Sequence, residues 1–98
     1  MTDEARRYQR LLRELLPDLA ARYQVASLGL FGSYLHGTQR PDSDLDVLVT
    51  FREPPSLLQL IELENHLSDQ LGVKVDLVLR DSLKRHIGER VLREVVPV

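Results

Sequence analysis

"GLFGSYLHGTQRPDSDLDVLVTF", residues 29–51, is the stretch whose reading decides the fold. It joins the end of one apolar run, Val25 to Phe31, to a second, Leu45 to Phe51. Both runs are short and bounded by turn residues, which is the pattern of β-strands. The second is apolar on both faces after Asp46, as a central strand should be. Gly32-Ser33 ends the first strand, 33–37 reads as a short helical turn closed by Gly37, and 38–43 is a polar loop. Two carboxylates, Asp44 and Asp46, flank Leu45 at the mouth of the second strand.

The rest of the chain supplies helices and one more strand. Residues 3–22 carry Tyr8, Leu12, Leu15 and Leu19 at helical spacing, with Thr2 or Asp3 as cap. Pro17 removes a hydrogen bond inside this run, so a kink or restart is expected there, as helix 3–16 followed by 17–22. After Pro54-Pro55, Ser56 and Gln59 have the form of a capping box. Leu57, Leu60, Leu63, Leu67 and Leu71 then make one helix face that Gly72 closes, with Glu64 as an awkward residue at its edge. Val73 to Leu79 reads as the third strand, with Asp76 in its middle. Residues 81–96 read as helical from Leu83, Ile87, Val91 and Val95, with Gly88 as a point where that helix splits. The order is α-β-α-β-α-β-α, a two-layer α/β (α+β) arrangement with helices packed on a small mixed sheet. The helix between the second and third strands makes that pair parallel through a right-handed crossover, while the short connection from the first strand allows an antiparallel return.

With 98 residues, the chain is read as one domain, 1–98. The N-terminus is charged and lacks a signal-peptide core, and apolar runs fall far short of the ~20 residues of a membrane span. There are no cysteines, which excludes disulfides, thiolate zinc sites and a cysteine nucleophile, and a cytoplasmic setting with no membrane partner is expected. A net charge of -2 argues against non-specific nucleic-acid binding.

Alternation along a strand sends Asp44 and Asp46 to one side and Leu45 to the core. Their Cα atoms are about 6.5–7 Å apart at ~3.3 Å per residue, and a paired strand lies ~4.8 Å away. Asp76 on the next strand is placed to project from the same face. Three converging carboxylates oppose one another, raise at least one pKa, and suit a hard divalent cation, Mg²⁺ or Mn²⁺. A solvated strand end or helix cap reads equally well for Asp44 and Asp46 alone, and for Asp76 alone a strand-edge position reads better. Strand, Gly-Ser, short helix is also a phosphate-binding shape: Gly32 admits close backbone approach, and Ser33 adds a hydroxyl donor beside the helix N–H groups. A glycine turn with a serine cap is the plainer reading of that pair alone. Gly-Ser, ten residues, Asp-x-Asp and a later strand Asp together place an anion cradle beside a metal site.

"LGLFGSYLHGTQRPDSDLDVLV" resembles the signature of the DNA polymerase beta nucleotidyltransferase superfamily, and the short length is similar to its minimal nucleotidyltransferase (MNT) domains. The resemblance implies a polymerase beta palm-like fold, with Gly32 and Ser33 binding the triphosphate of ATP. It implies that Asp44 and Asp46 ligate the metals and that Asp76 completes the site and helps activate the attacking hydroxyl. The family often has Ala-Arg-Gly where this chain has Leu35-His36-Gly37, so His36 departs from the pattern. The resemblance further implies a HEPN-domain partner, since MNT antitoxins attach AMP to a tyrosine of HEPN toxins. A contact-only antitoxin and a catalytic subunit acting on a small molecule or nucleic acid are the alternatives, and self-association stays open. Lys84, Arg85, Arg90 and Arg93 read as contacts to nucleotide or an acidic partner, or as a solvated helix face. His66 and His86 read as surface residues, and Tyr34 either stacks on a base or covers the turn.

Overall fold

The computed structural model describes residues 1–83 and 85–98, with side chains described for all of these except 85–87. The expectations for Lys84, Arg85, His86 and Ile87 lie outside the described residues.

Helix α1 (Asp3–Tyr23) begins at Thr2, whose hydroxyl accepts from the Ala5 N–H at 3.0 Å, and Asp3 and Glu4 face the positive end of the helix dipole. Ala5, Tyr8, Leu12 and Leu19 form its buried stripe. The expected break at Pro17 does not occur: the helix runs through it. Pro17 lies on the exposed side, while Leu12 and Leu19 hold both halves to the core.

Strands β1 (Val25–Phe31) and β2 (Leu45–Phe51) are antiparallel, linked through the one-turn helix α2 (Ser33–His36). Helix α3 (Leu57–Leu71) carries the chain over to β3 (Val75–Leu79), which is parallel to β2. A 3₁₀ turn at Arg80–Ser82 leads to α4 (Arg85–Glu94), which continues through Gly88 rather than splitting there. The expected order lacks one element: β4 (Val96–Pro97) adds a short edge strand to β1 and gives a sheet ordered β3-β2-β1-β4. Leu83, expected within the last helix, precedes it and packs against Gly88.

Leu45, Val47 and Val49 of β2 face α1 and α3 and are fully buried with Leu12, Leu19, Leu63, Leu67 and Val75. Each such side chain contributes about 1.5–3 kcal/mol. The opposite face carries Asp46, Leu48 and Thr50. The C-terminal segment crosses that face at Gly29, where a Cβ would run into Val95.

Edge strand β3 is capped from α3. Glu64 Oε2 accepts from the Leu77 N–H at 2.9 Å, and Ser68 Oγ accepts from the Val75 N–H at 3.0 Å. Glu64 is therefore not a defect of the apolar stripe. It satisfies an edge donor that water or a second chain would otherwise take.

Candidate active site

The two ends of the opening motif meet through strand pairing. Phe31 pairs with Asp46, so Gly32 leaves β1 directly beside that carboxylate. Gly32 has φ 84° and ψ -157°, a region essentially closed to other residues. A Cβ there would also collide with Asp46 Oδ2. The glycine is thus required twice, by its dihedrals and by the carboxylate packed against it.

On the other side of β2, Asp46 pairs with Asp76 in the parallel register, and the two point to the same face. Partial burial pushes the Asp46 pKa up to about 6, helped by the neighbouring charges of Asp76 and Asp44 and by a hydrogen bond with Asp76. Asp44 lies one residue before the first paired rung, Leu45 with Val75, and its Oδ2 stands 3.9 Å from Lys74 Nζ. So the chain brings Asp46, Asp76 and the Gly32 turn together, with Asp44 a rung away. Among the described residues no three acidic or histidine side chains stand close enough as they lie to enclose a metal ion.

Ser33 opens α2, and its carbonyl accepts from Thr38. Tyr34 is turned inward rather than presented to a base. It is buried edge-on against Tyr8, with ring centroids 5.8 Å apart, and its hydroxyl donates to the Ser43 carbonyl at 3.3 Å. Burial, ahead of the charges of Tyr8, Glu4 and Asp44, raises its pKa. The Thr2 hydroxyl in turn donates to the Tyr34 carbonyl at 2.8 Å. One tyrosine therefore ties the glycine turn, the α1 cap and the loop that delivers Asp44. His36 Nε2 lies 3.4 Å from Glu94 of α4, and Glu94 also meets Arg90 at 3.7 Å. Arg93 is exposed, and its Nε donates to the Glu89 carbonyl within the helix.

The acidic cluster is on an open rim. A cavity of about 280 Å³ on the same sheet face is lined instead by Ser27, Leu48, Thr50, Arg80 and Leu92. Two features escaped the reading of the sequence. Lys74 beside Asp44 was detectable, since it precedes Asp76 by two residues and so shares its face. The Tyr34 tie was not, because it depends on how a loop folds back.

The site is thus a glycine turn wedged against paired strand carboxylates. The sequence profile of the nucleotidyltransferase domain family matches residues 12–96. The chain belongs to that family. Protein adenylyltransferase MntA of Thermococcus cleftensis is 53% identical over 81 residues, covering 83% of this nucleotidyltransferase and 82% of that protein. A solved structure proposed to be a minimal nucleotidyltransferase superposes with a TM-score of 0.76 at 42% identity, covering 91% of both chains. A toxin–antitoxin crystal structure with AMP-PNP matches with a TM-score of 0.68 at 28% identity, covering 98% of this chain and 72% of that one. The fold recurs, at 24% identity and a TM-score of 0.66, in a Shewanella oneidensis structure of an MNT antitoxin with a tri-AMPylated HEPN toxin. Among the described residues no helix is long and apolar enough to cross a membrane.

Proposed function

We propose that this nucleotidyltransferase moves AMP from ATP onto a hydroxyl of a partner protein, a tyrosine of a HEPN-type toxin, and so acts as its antitoxin. In this reading residues 1–98 work as one minimal domain that takes its acceptor from the partner. The observation that carries the reading is the juxtaposition of Gly32 with Asp46 and of Asp46 with Asp76. The 53% identity to a protein adenylyltransferase supports the choice of AMP.

The donor set at the rim is all carboxylate oxygen, which fits Mg²⁺ or Mn²⁺. Burial and the charges of Asp76 and Asp44 disfavour the ionised form of Asp46, and such an ion offsets that. Asp44, Asp46 and Asp76 would hold it. When bound, it supplies charge neutralisation for the triphosphate and acidifies the attacking hydroxyl. The chain's own residues do the rest. Gly32 lets the backbone close on the polyphosphate, and Ser33 with the first N–H groups of α2 donates to it. In this reading Asp76, exposed on the outer strand, accepts the proton of the incoming hydroxyl. Positioning and electrostatics carry most of the acceleration in such transfers.

Incubation with the HEPN partner, ATP and Mg²⁺ tests this. The partner gains the mass of one or more AMP groups with the wild type and none with Asp46→Asn. Full neutralisation of the partner by that variant, with no mass change in either reaction, would instead establish a contact-only antitoxin.

A further inference from the structure

Sheet order fixes which side of the site each group occupies. Gly32-Ser33 follows β1, Asp44 precedes β2 and Asp46 lies in it, and Lys74 precedes β3 and Asp76 lies in it, with β2 between β1 and β3. Strands β1 and β3, on either side of β2, lie about 10 Å apart, twice the ~4.8 Å spacing of neighbours. With the triphosphate on Gly32-Ser33, pyrophosphate departs toward β1. An in-line displacement then brings the attacking oxygen from the β3 side.

Lys74 stands on that side. The register that pairs Asp46 with Asp76 places Asp44 opposite Lys74 one rung beyond, and the Leu45 N–H donates to the Lys74 carbonyl at 2.8 Å. The backbone of Lys74 is therefore held to β2, while its side chain is 79% exposed, with Nζ 3.9 Å from Asp44 Oδ2. So exposed a pair adds little to stability, and the ammonium is free to turn to a bound group.

We propose that Lys74 is the acceptor-side cation of the reaction, contacting the attacking oxygen as its proton leaves. A positive charge within about 4–6 Å favours the ionised form of a hydroxyl. In the step, the acceptor oxygen bonds to the α-phosphorus, and the bond from that phosphorus to the bridging oxygen of the β-phosphate breaks. The electron pair leaves with pyrophosphate, and the hydroxyl proton passes to Asp76 and on to solvent. The proposal rests on the nucleotide placement under the proposed function.

The test compares wild type, Lys74→Gln and Lys74→Arg in AMP transfer to the HEPN partner, with AMP-PNP binding measured separately in the presence of Mg²⁺. Removing a contact made only as charge develops lowers kcat and spares KM. Lys74→Gln is expected to lose roughly a hundredfold in kcat. Its KM for ATP and its AMP-PNP affinity stay within about twofold, and Lys74→Arg recovers most of the rate. Weakened AMP-PNP binding would move Lys74 to the triphosphate, and an unchanged kcat would make it a spectator; either overturns the proposal. These results are distinguishable from failure of the underlying reading, in which the wild type itself transfers nothing to the partner.

Discussion

Gly32→Ala separates the two demands on this glycine. An alanine would have to hold φ 84° and ψ -157°, at a cost on the order of 1–3 kcal/mol. Each kcal/mol lowers Tm by about 4–8 °C in a domain of this size. Its Cβ would also displace the Asp46 carboxylate. A displacement of about 1 Å at a reacting centre costs roughly a hundredfold in rate. Gly37→Ala is the control. Gly37 also has a positive φ, 70°, but an added Cβ would meet only Thr2 Cγ2, at 3.4 Å. Left-handed strain there costs about 1–2 kcal/mol without touching a carboxylate. Thermal melting and AMP transfer should be measured side by side on both variants. Both are expected to melt lower, and Gly32→Ala alone to lose transfer. Wild-type transfer by Gly32→Ala, or equal loss in Gly37→Ala, would refute the steric link between the turn and Asp46.

Three further outcomes follow from particular contacts. Asp46 has a pKa of about 6 in the folded chain against an ordinary 3.8, so the folded state binds more protons between those values, and this group's contribution to stability is lost as pH rises through 6. Asp46→Asn should therefore melt above wild type in chelator at about pH 7.5, with the gap closing toward about pH 4; a lower Tm for the variant at the higher pH would contradict this. Glu64→Ala removes the acceptor of the Leu77 N–H and should cost about 1–3 kcal/mol in urea unfolding, with faster hydrogen exchange at that amide. An unchanged exchange rate would show that the edge is protected by something else. Thr2→Val loses the α1 cap and the bond to the Tyr34 carbonyl, and about 1–2 kcal/mol of stability is the expected loss, read from the urea midpoint.

What was legible followed from local rules. Ser56 caps α3, its hydroxyl accepting from the Gln59 N–H as the box pattern implies, and Gly72 closes it in the left-handed region. The second half of the box does not form, because the Gln59 side chain reaches across to the Tyr23 carbonyl. Alternation alone put Asp44 and Asp46 on one face. The register that sets Asp76 against Asp46 is a property of two strands 30 positions apart, and no local pattern specifies it. Glu64 read as a misfit because its partner is the backbone of β3, invisible to a helical-wheel argument. The strand Val96–Pro97 is two residues long and contains a proline, so neither length nor alternation could announce it. Pro17 misled for the converse reason: the local rule is sound, but burial on the opposite side of α1 outweighs one missing hydrogen bond.

The most direct test of the site is crystallographic. Crystals of the chain grown with Mn²⁺ and AMP-PNP should show anomalous density between Asp44, Asp46 and Asp76, with the triphosphate on Gly32-Ser33. An analogue bound elsewhere, such as the cavity of Ser27, Thr50 and Arg80, with no manganese at the three aspartates, would contradict it.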